Sequence, residues 1–199
     1  MTKVYPNASG LASPPSSNGC ESADPNPMVL TVWKKSLLFN CDGFTVFDSR
    51  GNLVYRVDNY MSGNNGEIFL MDASGTSLLT IRRRKKLSLG DRWLVFDGET
   101  ADNPRFSVRK NVNLLNKKCL AHVSSPRKND ALLYEIEGSY GQRRCAVYDE
   151  KRRRVAEIKQ KEASVKGVDL GNDIFRLVVQ PGFDSALAMA IVILLDQMF

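Results

Sequence analysis

The chain has 199 residues, of which 43% are hydrophobic and 25% charged; that excludes wholesale disorder and suits one domain burying about 70% of its unfolded surface. The net charge of +6 favours anionic partners without setting a fold, because Arg and Lys meet phosphate on nucleic acids and on phospholipids alike.

Residues 1–27 carry Pro6, Pro14, Pro15, Pro25 and Pro27 among Ser, Asn and Gly. Such a segment buries too little apolar surface to offset its ordering entropy, so a disordered Pro/Ser-rich tail is predicted over 1–27 and a single domain over 28–199. The N-terminus lacks the apolar core of a secretory signal, which predicts an intracellular protein. Cys20, Cys41, Cys119 and Cys145 are scattered without a CxxC pair. Free thiols in a reducing compartment are the expectation, ahead of a metal site or redox pair.

From Met28 the texture changes. "MVLTVWKKSLLF", "GFTVF", "NLVYRV", "EIFLM", "SLLTI", "RWLVF", "RFSV", "ALLYEIEG", "CAVYD", "RVAEI" and "DIFRLVV" are short, rich in β-branched and aromatic residues, and separated by Gly, Asn, Asp or charged turns. Alternation puts Leu132, Tyr134 and Ile136 on one face, and Phe175, Leu177 and Val179 on another. About a dozen such strands predict an antiparallel barrel or sandwich. "FDSRGNLVYRV", "MDASGTSLLTI" and "YDEKRRRVAEI" form an internal repeat, each with an Asp nine residues before a β-branched residue: Asp48 and Val57, Asp72 and Ile81, Asp149 and Ile158. Gly51 and Gly75 follow the first two aspartates by three, which is hairpin-turn chemistry. In the third copy Arg152 stands where the Gly would be, and a turn of different shape is expected there.

The last segment, "PGFDSALAMAIVILLDQMF", offers Asp184 or Ser185 as an N-cap and then an unbroken apolar run from Ala186 to Leu195. A membrane span needs about 20 such residues, so no transmembrane span is predicted. A helix apolar on every side must be surrounded by protein, which predicts an all-β shell wrapped around one C-terminal helix.

Motifs for catalysis are scarce. His122, the chain's single histidine, sits in "CLAHVSS" with no evident partner constellation, and a packed or edge role is expected. GxSxG, P-loop, HExxH and GxGxxG patterns are absent from the sequence. Glu135 and Glu137 share a strand face and read as an exposed face rather than a glycosidase pair. Neither a catalytic residue, a cofactor nor a metal is predicted. Basic clusters remain at Arg82, Arg83, Arg84, Lys85 and Lys86, at Lys117–Lys118, at Arg143–Arg144, and at Lys151, Arg152, Arg153 and Arg154. The first and last are the candidate anionic-ligand-binding residues. No acid adjoins the first run before Asp91, so that run is expected to leave regular pairing and show its charge to solvent. A solvated rim, a nuclear-import signal and an anionic-lipid contact are the competing readings. DNA contact by a nuclear regulator is the alternative, although no recognition helix or zinc finger is present to enter a groove.

"LTVWKKSLLF", "DGFTVFDSRGNLVYRVDNY", "LLTIRRRKKLSLGDRWLVFDG", "IEGSYGQRRCAVYD", "VAEIKQK" and "PGFDSALAMAIVILLDQM" together resemble the plant LURP-one-related proteins, over essentially residues 28–199. The resemblance implies a mainly β, roughly twelve-stranded antiparallel barrel enclosing the hydrophobic C-terminal helix, a fold shared with the tubby C-terminal domain and the phospholipid scramblases. It also implies a non-enzymatic module associated with plant defence, with an anionic phospholipid or phosphoinositide surface, or a protein in defence signalling, as its partner. The implied setting is the cytoplasm, at a membrane surface or in the nucleus.

Overall fold

Twelve antiparallel strands close into one barrel around a single helix in the computed structural model, which describes residues 25–35, 43–59, 66–84, 92–100, 102–112, 118–161 and 172–199. The strands are β1 (Met28–Trp33), β2 (Gly43–Phe47), β3 (Leu53–Asn59), β4 (Glu67–Asp72), β5 (Ser77–Arg84), β6 (Arg92–Asp97), β7 (Phe106–Lys110), β8 (Cys119–Ser125), β9 (Ala131–Ser139), β10 (Arg144–Asp149), β11 (Arg154–Gln160) and β12 (Ile174–Val179). Each pairs with its chain neighbour, and β1 closes the ring against β12, with Leu30 opposite Leu177. A closed sheet needs no partner for an edge strand.

The sequence explains which way the strands face. Leu30 and Val32, Phe44 and Val46, Ile68 and Leu70, Leu79 and Ile81, and Phe175, Leu177 and Val179 alternate along their strands, and all join one core cluster with the helix. The helix α1 (Ser185–Met198) fills the bore, and Leu187 through Leu195 are all buried. Asp184 is its N-cap, accepting from the backbone N–H of Ala186 at 2.9 Å and of Leu187 at 3.2 Å. Arg105 holds the same carboxylate at 3.0 Å, and Tyr55 meets the Ser185 hydroxyl at 2.7 Å. At the far end Tyr140 donates to Asp196 at 3.1 Å, Lys34 pairs with Asp196 at 2.8 Å, and the Lys110 ammonium donates to the carbonyl of Met198 at 2.9 Å. Cations at that end answer the partial negative charge of the last helical carbonyls.

The barrel thus has two distinct ends. At the entry rim, where α1 begins, lie the tight turns after β2, β4 and β10. At the exit rim, where α1 stops, β5 and β7 end and β6, β8 and β10 start.

The three repeats are those three tight turns. Asp48, Asp72 and Asp149 each accept the backbone N–H four residues on, at 2.8 to 2.9 Å. The N–H three residues on closes each turn onto the backbone carbonyl of the same Asp, from Gly51, Gly75 and Arg152. Gly51 and Gly75 have φ of 85° and 92°, and Arg152 has φ of 61°. The third turn therefore keeps the shape of the other two, against the expectation of a different one. Arg152 accepts a left-handed backbone because its side chain is held, by Glu135 Oε2 at 2.8 Å, by Glu137 Oε1 at 2.9 Å and over the Tyr148 ring. The hydrogen bonds from Asn52 hold the Asp48 carboxyl below its ordinary pKa, and the Ser74 hydroxyl does the same for Asp72. At Asp149 partial desolvation pulls the other way and is outweighed by the hydrogen bonds and charge of Arg153.

The tail predicted to be disordered lies, up to residue 24, outside the described residues, as do Cys20 and Cys41. Cys119 and Cys145 are free and buried, and burial first of all pushes the Cys145 thiol up to about 11.

Candidate functional site

The two basic clusters singled out in the sequence stand at opposite ends of the barrel. Arg82, Arg83 and Arg84 end β5 at the exit rim, whereas Lys151, Arg152 and Arg153 lie in the β10–β11 turn and Arg154 opens β11 at the entry rim. They do not form one surface. Lys85, Lys86 and Lys117 lie outside the described residues.

Arg82 to Arg84 also remain in the sheet, against the expectation that the run leaves regular pairing: they sit opposite Leu94, Trp93 and Arg92 of β6. Arg82 finds an acid across the sheet rather than along the chain, pairing with Glu67 of β4 at 2.8 Å and lying over the Phe96 ring. Arg83 stacks over the buried Trp93 ring, 5.7 Å from its centroid, a geometry that suits a planar guanidinium. Arg83 and Arg84 are exposed. At the opposite end Arg152 is tied to Glu135 and Glu137, and Arg153 pairs with Asp149 at 2.7 Å. Arg154 pairs with Glu157 at 3.1 Å. The entry-rim cations are therefore largely answered by acids.

The exit rim has a different character. Exposed Lys34, Lys35, Arg84, Lys110, Lys118 and Arg144 ring it, and two of its acids, Glu67 and Asp196, are already paired. Among them sit exposed apolar side chains: Trp33 at 39%, Phe199 at 54% and Val112 at 73% of their full exposure. Lys35 lies over the Trp33 ring and Lys110 over the Phe199 ring, 5.2 and 4.0 Å from the centroids. A cleft of about 670 Å³ opens beside this rim, lined by Arg83, Trp93, Arg109, Lys110, His122 and Met198 among others. Among the described predicted anion-binding residues, Arg83 alone lines it. Arg109 and Lys110 were missed although they form an adjacent basic pair in "SVRKNV", because nothing in the local sequence shows that β7 ends at the rim beside Arg83 and Met198.

On the outer wall next to that cleft, His122 is not the partnerless histidine of the sequence reading. Its Nε2 stands 3.4 Å from Cys119 Sγ and 3.8 Å from Glu135 Oε1. Residues three apart on a regular strand face opposite ways. A register shift between Cys119 and Ala121 inserts Leu120 as an extra residue and brings Cys119 and His122 to the same side, facing Glu137 and Glu135 of β9. Desolvation first, and Glu135 next, push the Cys119 thiol up to about 12. Both partners converge on one imidazole nitrogen, and the thiol is held protonated. That arrangement does not make an activated nucleophile, whose base has its orienting group on the other nitrogen.

The fold defines a class: a closed twelve-stranded barrel whose bore is filled by its own C-terminal helix. Within that class the chain belongs to the LURP-one-related family, whose model matches residues 28–196. Protein LURP-one-related 8 of Arabidopsis thaliana is 54% identical over 202 residues, spanning 100% of this chain and 98% of that protein. Protein LURP-one-related 17 of the same plant is 48% identical, over 85% of this chain and 82% of its own length. An X-ray structure of another Arabidopsis thaliana protein superposes with a TM-score of 0.66 at 25% identity, covering 88% of this chain and 93% of that one. No described helix is long and apolar enough to cross a membrane.

Proposed function

We propose that the chain is a non-enzymatic binding module whose exit rim docks on an anionic phospholipid surface, with phosphoinositide headgroups as the favoured ligand class. The observation that supports this most is the company of exposed Trp33, Val112 and Phe199 with exposed cations at one end of the barrel. Indole and phenyl rings settle at the boundary between headgroups and acyl chains, and each cation near a negative leaflet contributes about 1 kcal/mol. The cleft, where Arg83 and Lys110 stand beside an Arg109 already paired with Asp130, supplies a recess for a phosphorylated headgroup. The reading draws only on the exit rim. The entry-rim cluster Lys151 to Arg154 falls out of the predicted anion-binding set, because its guanidiniums are committed to Glu135, Glu137, Asp149 and Glu157.

Co-sedimentation with vesicles tests it. Changing Arg83, Arg84 and Arg144 to Ala should remove about 3 kcal/mol, roughly a hundredfold in affinity for phosphoinositide-containing vesicles, with a smaller loss at high salt. Changing Lys151, Arg153 and Arg154 to Ala should leave vesicle binding within about threefold. Equal loss from both triple variants would show that net charge, and no docking face, governs binding. Preference for duplex DNA over vesicles at the same salt would instead favour the nuclear alternative.

A further inference from the structure

We infer that Cys119, His122 and Glu135 form a zinc site on the outer wall of the barrel. Their ligand atoms all lie within 4.8 Å of one another. Zn²⁺ bound tetrahedrally at about 2.3 Å to sulfur, 2.0 Å to nitrogen and 2.0 Å to oxygen holds its ligand atoms roughly 3.3 to 3.6 Å apart. The observed separations, 3.4 Å between Cys119 Sγ and His122 Nε2 and 3.8 Å between that nitrogen and Glu135 Oε1, need only small side-chain adjustments to reach it. The backbone is already set for this, since the Leu120 bulge places sulfur and imidazole on the same side of β8.

Three features favour a metal over a chance contact. The donors are one sulfur, one nitrogen and one oxygen, a mixed soft and hard set that suits Zn²⁺ in a three-protein-ligand site with an open fourth position. The two oxygens of Glu135 have separate duties: Oε1 faces His122, while Oε2 is held by Arg152 at 2.8 Å, which is how an outer-shell partner fixes a ligating carboxylate. The charges also fit a dication. Once the thiol is ionised, Cys119, Glu135 and Glu137 bring three negative charges together, the two carboxylates being held by Arg152, and Arg109, across from His122 on β7, is turned to Asp130. Binding forms one Zn–S, one Zn–N and one Zn–O bond. The Cys119 sulfhydryl proton goes to solvent, no redox change occurs, and water completes the coordination. His122 has 38% of its side chain exposed, so the ion enters from solvent beside the rim cleft.

The experiment uses the full chain, reduced and stripped with chelator, titrated with Zn²⁺ or with Co²⁺ as a spectroscopic probe. Because His122 is the chain's single histidine, its imidazole gives a single set of proton resonances, and Zn²⁺ must shift them at one equivalent. Co²⁺ must produce a thiolate-to-cobalt charge-transfer band that Cys119→Ser abolishes and Cys145→Ser leaves in place. His122→Gln and Glu135→Gln should each weaken Zn²⁺ binding by more than about tenfold. An unmoved imidazole resonance in the wild type overturns the proposal without any variant, so a Cys119→Ser protein that fails to fold does not shield it. Zinc retained at full affinity by His122→Gln, as would follow from capture by Cys20 and Cys41, overturns it too.

Discussion

Arg152 shows how a single side chain can reverse what its backbone type would prefer. A non-glycine residue at φ of 61° strains its backbone by about 1–2 kcal/mol. The two carboxylates of β9 and the Tyr148 ring offset that cost only in part, because the side chain is 57% exposed and solvent screens its ion pairs. Two substitutions separate the terms. Arg152→Gly loses the contacts and relieves the strain, so its urea midpoint should correspond to a stability within about 1 kcal/mol of the wild type. Arg152→Ala loses the contacts and keeps the strain, and should be the less stable of the two by about 1 kcal/mol. An Ala variant as stable as the Gly variant would mean that the turn carries no strain. The same position marks a boundary of what the sequence made legible. The Asp spacing of the repeat was readable from local chemistry, but the partners that let Arg replace Gly lie 17 and 15 residues away, on β9.

At the scale of the element, the three Asp turns link local structure to pH. Asp48, Asp72 and Asp149 all have folded-state pKa values lowered from 3.8. A depressed carboxyl stabilises the fold at pH above its unfolded value, and that stability is lost as pH falls through the folded value. Replacing all three by Asn keeps a side-chain acceptor for each turn and removes the titration. The triple variant should be less stable at neutral pH, and its denaturation midpoint should fall less steeply than that of the wild type below about pH 4. Parallel acid limbs would show that other carboxyls govern acid unfolding. The turns, the strands and the N-capped helix were legible because each is written in a short span of sequence. The pairing of Arg82 with Glu67 was not, since it depends on which strand neighbours β5. Nor was the cluster at His122. One extra residue in β8 reverses the alternation on which a face is read, and nothing in "CLAHVSS" announces the bulge.

For the whole molecule, the decisive arrangement is a helix serving as the core of a sheet. Leu187 to Leu195 are buried all round, so the barrel interior is side chains from two sources and the strands alone cannot fill it. Ala188 has 1% of its surface exposed. Ala188→Glu therefore buries a charge for which the core offers no partner, and should lower stability by several kcal/mol or prevent folding. A melting temperature equal to that of the wild type would mean that the helix faces water and that the closed architecture is wrong. The helix also gives the barrel its polarity, because its exposed last carbonyls and Asp196 draw cations to the exit rim. Lys110 and Lys34 gather where its last carbonyls and Asp196 emerge, and the exposed aromatic side chains Trp33 and Phe199 share that end.

The helix that fills the bore follows all twelve strands in the chain. During synthesis from the N-terminus, every strand leaves the ribosome before the segment it must wrap. The ring cannot finish its core, nor β1 hold its closure against β12, until α1 has been made. The nascent chain must therefore keep a nearly complete, apolar-faced sheet from collapsing or joining another copy while it waits, a task of the kind that holding chaperones perform. A chain cut short before Ser185 would be a sheet with no filling, and quality control would meet it as an aggregation-prone fragment rather than as a smaller working domain.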